Sequence, residues 1–103
     1  MGLEVAAVLF YLHSQRVIFR DLKPANLLLD EGGHIRLIDF GVSRQGKNNK
    51  DPLSNEVVGS GVYMAPEVRA CETSRTKYSY SCDWFSCGVI LYELQVTGNL
   101  RSS

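Results

Sequence analysis

Apolar positions recur along this chain at several distinct spacings, and each spacing predicts an element. Val5, Val8, Leu9 and Leu12 fall on one helical stripe, widened by Leu3, Ala6 and Phe10, which predicts a helix from about Leu3 to Gln15. Arg16 to Phe19 reads as a short extended stretch built on Val17-Ile18-Phe19. Two short apolar runs, Asn26 to Asp30 and His34 to Ile38, flank Glu31-Gly32-Gly33. The glycines there can supply the positive φ of a tight turn, so the runs read as a hairpin. From Gln45 to Pro52 the chain is polar and aperiodic, with Gly46, two Asn and two Lys, which predicts a mobile loop. Pro66 suits the first turn of a short helix, roughly Pro66 to Cys71, and Cys71 to Tyr80 is again loop-like. A second long helix is expected from about Ser81 to Val96. Trp84, Phe85, Val89, Ile90, Leu91, Tyr92 and Leu94 make it apolar on most faces, so it should be buried in an intact fold. Gly98 and Asn99 are its stop signals.

Composition narrows the class. The length of 103 residues leaves room for one small domain. Eleven basic and eleven acidic residues cancel, so no net field points toward nucleic acid or an anionic membrane. Cys71, Cys82 and Cys87 are odd in number and form no C-x-x-C pair, which reads as free thiols in a reducing compartment. The longest apolar stretch, Trp84 to Val96, is interrupted by Ser86, Gly88 and Glu93 and is too short to span a bilayer. Met1-Gly2 is not followed by the Ser or Thr of a myristoylation signal, because Ala6 stands there. No signal-like run and no internal repeat is present. A soluble, cytoplasmic protein without a transmembrane segment is the expectation.

The chemistry lies in four ordered motifs. Arg20-Asp21-Leu22-Lys23-Pro24-Ala25-Asn26 is followed by Asp39-Phe40-Gly41, then by Gly59-Ser60-Gly61 and Ala65-Pro66-Glu67. Each residue alone reads as an ordinary polar loop residue; the ordered set carries the weight. It resembles the phosphoryl-transfer half of a eukaryotic protein kinase catalytic domain. The resemblance implies a protein-kinase-like α+β fold: a partial, mainly helical C-terminal lobe with a short β-hairpin by the catalytic loop. Residues 1–103 would run from the helix before that loop through the central helix of the lobe. No G-x-G-x-x-G loop and no Lys–Glu pair of the smaller lobe occurs in the sequence, so the N-lobe and the last C-lobe helices are expected to lie outside it.

The resemblance also implies roles. Asp21 would orient the substrate hydroxyl as base, and Lys23 would steady the transferring phosphate. Asn26 and Asp39 would hold Mg2+ with ATP, as hard oxygen donors. Leu28 would lie under the adenine ring, although simple core packing is compatible with the same position. Phe19 stands where most kinases carry His or Tyr, and would pack behind Phe40 of Asp39-Phe40-Gly41. Asp83 would accept backbone N–H groups from the catalytic loop, as a buried carboxylate must find partners. Ser60 takes the place of a Thr that bonds the catalytic Asp and Lys, which with Lys23 implies a Ser/Thr acceptor on a protein substrate. Glu56 sits where many related kinases carry an activating phosphothreonine; it would either pair with Arg20 or stay solvated, the solvated state being favoured for a lone surface carboxylate. Ser54 is a candidate phosphosite. Glu67 is expected to be left unpaired, since its Arg would come from chain outside these residues.

Ile18 to Glu31, Gly33-His34-Ile35-Arg36, Tyr63 to Val68 and Asp83-Trp84-Phe85-Ser86 resemble the G-protein-coupled receptor kinase branch of the AGC group. That branch usually has Leu where Phe40 stands. It would add an activated membrane receptor to the partners. The expected function is serine/threonine protein kinase chemistry. The alternatives are a non-catalytic, kinase-derived binding fragment and a truncated gene product without activity, either way inactive alone.

Overall fold

Helix α1, Gly2–Ser14, buries Val5, Leu9 and Leu12, with Val8 partly covered beside them. The computed structural model describes residues 2–98. Leu3 and Phe10, assigned to the same stripe by periodicity, are 89% and 67% exposed. The packed stripe is narrower than the apolar one because α3, Ser81–Thr97, covers only one side of α1. Phe10 nevertheless meets the Trp84 ring edge-on, with centroids 5.1 Å apart.

After α1 the chain turns sharply at Arg16, whose φ of 59° is left-handed. It then enters β1, Val17–Ile18, which pairs antiparallel with a distant strand, Arg44–Gln45. That second strand was not predicted. It draws the polar run after it onto the end of α1: the Arg16 carbonyl accepts Gly46 N–H at 2.8 Å. The Arg16 guanidinium meanwhile donates to Asn49 Oδ1 at 3.1 Å and Asp51 Oδ1 at 3.0 Å. The expected mobile loop is therefore a tethered turn. Gly46 is required for it, since a Cβ there would lie 1.9 Å from the Lys50 carbonyl oxygen.

The predicted hairpin forms, with shorter strands. β2, Leu27–Leu29, pairs antiparallel with β3, Ile35–Leu37, in the register Leu27 to Leu37 and Leu29 to Ile35. In chain order the Arg44–Gln45 strand is β4. Asn26 is lost to β2 because Pro24–Asn26 is a 3-10 turn. Asp30 is lost because its Oδ1 accepts the N–H groups of Gly32 and His34, both at 2.9 Å. Glu4 of α1 accepts Ile35 N–H at 3.0 Å and so ties the hairpin to the helix.

The short helix α2, Pro66–Arg69, continues as a 3-10 turn over Ala70–Glu72. The following segment is anchored by a two-way backbone pair between Tyr78 and Ser54 at 2.9 and 3.1 Å. α3 ends at Gly98, whose φ of 75° lets its N–H reach the Leu94 carbonyl; Asn99 lies outside the described residues. The α+β class with a hairpin beside the catalytic loop is the architecture observed.

The core has two parts. Val5, Leu9, Phe19, Leu22, Tyr63, Cys87 and Ile90 lock α1, α3 and the segment after β1 together. Ile18, Ala65, Val68, Tyr78 and Cys82 form the second part under α2. Each such aliphatic or aromatic side chain contributes about 1.5–3 kcal/mol on burial. α3 is buried on one face only. Its inner face carries Cys82, Asp83, Ser86, Cys87, Ile90 and Glu93, while Tyr92 and Val96 are 67% and 62% exposed. Among the described residues no helix is long and apolar enough to cross a membrane.

Candidate active site

The site begins with a buried carboxylate. Asp83, fully buried in the first turn of α3, accepts Phe19 N–H on Oδ2 and Arg20 N–H on Oδ1, each at 2.8 Å. These bonds hold Arg20 in a left-handed conformation, φ 75°, which costs an L-residue on the order of 1–2 kcal/mol. Charge-assisted bonds to an ionised acceptor are about twice as strong as neutral ones, so two of them offset that cost. His13 completes the arrangement, with Nε2 2.9 Å from Asp83 Oδ2. It was missed in the sequence. Its one signal is its place four residues after Leu9, on the buried face of α1, where a polar side chain needs a partner.

Immediately after this anchor, Asp21 meets three other side chains. Ser60 Oγ donates to Asp21 Oδ1 at 2.9 Å, and Lys23 Nζ donates to Ser60 Oγ at 3.0 Å. Lys23 Nζ lies 3.9 Å from Asp21 Oδ2. Asn26 Nδ2 donates to the Asp21 carbonyl at 2.7 Å and approaches Oδ2 at 3.4 Å. The amide nitrogen of Asn26 is thus committed to Asp21. Its Oδ1 is left as the acceptor.

Asp39 stands apart from that group. It is exposed, its φ is 65°, and its Oδ1 accepts Gly41 N–H at 3.3 Å. Backbone pairing still brings its turn to the loop that carries Asp21, because Ile38 N–H donates to the Asn26 carbonyl at 3.0 Å. Phe40 is 45% exposed and meets the fully buried Phe19 ring edge-on, at 5.0 Å between centroids and 90° between planes. Leu28, opposite Arg36 in the hairpin, is half exposed and therefore no core residue.

A second centre surrounds Arg20. Its buried guanidinium donates Nε–H to the Val42 carbonyl at 2.6 Å. Nη1 reaches Ser54 Oγ at 3.0 Å, Glu56 Oε1 at 3.2 Å and Tyr78 OH at 3.2 Å. Arg44 also donates to Glu56 Oε1. The favoured expectation of a solvated Glu56 is overturned: β1–β4 pairing places Arg44 beside Arg20, and the carboxylate bridges them. The hydrogen bond from Arg20, then that from Arg44, holds the Glu56 carboxyl below its ordinary value of 4.5. Ser81 Oγ donates to Glu67 Oε2 at 2.6 Å, a neutral partner rather than the Arg expected from chain outside these residues. Tyr63 OH donates to the buried Glu93, and Ser86 Oγ donates to the Tyr63 carbonyl at 2.6 Å. These bonds fix the turn after Ser60 onto α3.

Over residues 1–102 the sequence matches the protein kinase domain. The chain belongs to the protein kinase domain family. Among the relatives of this kinase chain is Developmentally-regulated protein kinase 1 of Dictyostelium discoideum, 44% identical over 100 residues. That match covers 97% of the chain and 13% of the relative. Human Ribosomal protein S6 kinase alpha-1 is 45% identical over 97 residues, 94% of the chain and 12% of the relative. Protein kinase C, eye isozyme, of Drosophila melanogaster is 44% identical over 92 residues, 89% of the chain and 12% of the relative. S6 kinases and protein kinase C are AGC-group serine/threonine kinases. The kinase chain thus spans roughly an eighth of the length of these curated relatives.

Two side chains of the kinase chain, Asn26 and Asp39, offer oxygen donors of the kind a hard cation takes. Magnesium is held by one or two protein oxygens together with substrate phosphates rather than by a full protein cage. The Asn26 amide nitrogen is turned to Asp21, leaving its oxygen as the acceptor, and the Asp39 carboxylate is exposed. Among the described residues no group of three or more His, Cys, Asp or Glu forms a denser cation site.

Proposed function

We propose that this chain is the phosphoryl-transfer part of a serine/threonine protein kinase that moves the γ-phosphate of ATP to a hydroxyl on a protein. The observation that carries the reading is the set Asp21–Ser60–Lys23, joined at 2.9 and 3.0 Å. A carboxylate and an ammonium share one hydroxyl, as an aligned base and a phosphate-steadying cation require. Asp21 would accept the hydrogen bond of the incoming hydroxyl and later its proton. Lys23 would face the transferring phosphate. Asn26 and Asp39 would hold magnesium, which when bound neutralises charge developing on the phosphates. Leu28, exposed on the hairpin, would offer its apolar surface to the adenine.

The 103 residues contain no Gly-rich loop and no Lys–Glu pair of the smaller lobe. In this reading those parts come from chain beyond this segment, and the segment alone transfers no phosphate. Within the AGC group, the string Ile18 to Glu31 favours the receptor-kinase branch, with an activated membrane receptor as substrate. Two buried free thiols, Cys82 and Cys87, suit a reducing compartment.

The test is a magnesium titration of phosphate transfer to Ser-, Thr- and Tyr-containing proteins by the longer kinase chain that carries this segment. Transfer to Ser or Thr, with Asp39→Asn abolishing it at every magnesium concentration, supports the reading. Transfer to Tyr, or full turnover in Asp39→Asn, contradicts it. Phosphorylation of an activated receptor in preference to a soluble protein would support the finer branch, and equal rates would remove it.

A further inference from the structure

We propose that the Glu56 carboxylate is a built-in counter-ion that docks the activation segment against Arg20 and Arg44, so that this kinase needs no phosphate on that segment to hold Asp21 and Ser60 together. The inference rests on the kinase reading and adds the regulation of the same site.

Arg20 sets the requirement. Its side chain is only 5% exposed, and a buried guanidinium is costly without an anion. Of its four side-chain partners, Val42 O, Ser54 Oγ and Tyr78 OH are neutral and Glu56 alone carries charge. Among the described residues Glu56 is also the ion-pair partner of Arg44. One carboxylate therefore serves two guanidinium groups.

The junction is wired to the reacting end of the site in both directions. Arg20 adjoins Asp21, and Val42 follows the Asp39-Phe40-Gly41 turn by one residue. On the other side, the Glu56 main chain is held twice: its N–H donates to Ser54 Oγ at 3.1 Å, and its carbonyl accepts Tyr78 OH at 2.6 Å. Four residues later Ser60 reaches Asp21. Glu56 thereby sets the point from which the chain crosses back to the catalytic loop.

Ser54 does not take this role. It is 5% exposed, its hydroxyl is occupied by Arg20 and by Glu56 N–H, and its backbone is paired both ways with Tyr78. A modifying enzyme would have to open the junction to reach it. The resident carboxylate already supplies the charge.

The experiment uses the longer kinase chain that carries this segment, treated with phosphatase until mass spectrometry finds no phosphate on residues 42–67. The wild type should keep its kcat/KM. Glu56→Gln, which keeps the shape and removes the charge, should lower it roughly two- to fivefold, the range for a pair that is partly open to solvent. Hydrogen exchange should rise at the amides of Ser54 to Ser60 in the variant. A loss of wild-type activity on phosphatase treatment would overturn the proposal, as would a Glu56→Gln protein matching the wild type in both rate and exchange. A wild type with no transfer activity at all removes the kinase reading instead, and the exchange comparison then decides the clamp alone.

Discussion

Nε2 of His13 lies 2.9 Å from Oδ2 of Asp83, and the same oxygen accepts the backbone N–H of Phe19. The end of α1, the start of α3 and the catalytic loop are thus joined at one buried carboxylate. Removing the carboxylate strands two backbone donors and the imidazole, whereas removing the imidazole costs one bond. Asp83→Ala should therefore destabilise the kinase domain that carries this segment by about 3–5 kcal/mol, and His13→Ala by about 1–2 kcal/mol. Urea midpoints at matched m-values measure both. Equal losses would mean that the backbone donors find other partners.

Acid should release the activation segment. The Arg20 hydrogen bond, with Arg44 second, lowers the Glu56 carboxyl below its ordinary value. A carboxyl lowered by folding contributes stability above its unfolded pKa, and that stability is lost as pH falls through the folded one. Protease sensitivity of residues 52–60 should stay flat from neutral pH down to the ordinary carboxylate range and rise below it. Glu56→Gln should remove that rise and show high sensitivity throughout.

Burial pushes the Cys82 thiol far up, with the neighbouring Asp83 charge adding to it, and burial alone raises Cys87. Both stay protonated at neutral pH, and the thiolate is the reactive form. Iodoacetamide should label these two cysteines only after denaturation, as read by peptide mass spectrometry. Labelling in the native protein at the unfolded rate would contradict the packing of α3 described above.

Ser60 bridges the Asp21 carboxylate and the Lys23 ammonium through its hydroxyl. Ser60→Ala should lower kcat about 10- to 150-fold, the worth of one hydrogen bond to charged groups, with little change in the urea midpoint. Ser60→Thr, which restores the hydroxyl, should recover most of the loss. A fall in stability matching the fall in kcat would reduce Ser60 to a structural role.

Much of this was legible in the sequence, for identifiable reasons. α1 and α3 are long enough for helical periodicity to show, and the hairpin turn is marked by Gly32-Gly33. The motif residues Asp21, Lys23 and Asn26 lie within one short loop, so their proximity follows from chain order. What failed was long-range. β1 and β4 have two residues each, too few to carry a period, yet their pairing turns the polar run after Gln45 into a tethered turn and brings Arg44 to Glu56. The bonds from His13 to Asp83, from Ser81 to Glu67 and from Tyr63 to Glu93 join positions that no local pattern links. Exposure was misjudged at Leu3 and Phe10 because apolarity alone does not say which elements cover a face.

The most direct test of the central claim is turnover of Asp21→Asn in the longer kinase chain that carries this segment, with nucleotide binding measured alongside. Asn keeps the shape and the Ser60 contact but cannot take the proton. The account predicts a fall in kcat of about 10²–10⁴-fold with ATP affinity and urea midpoint unchanged. Undiminished phosphate transfer by Asp21→Asn would contradict it.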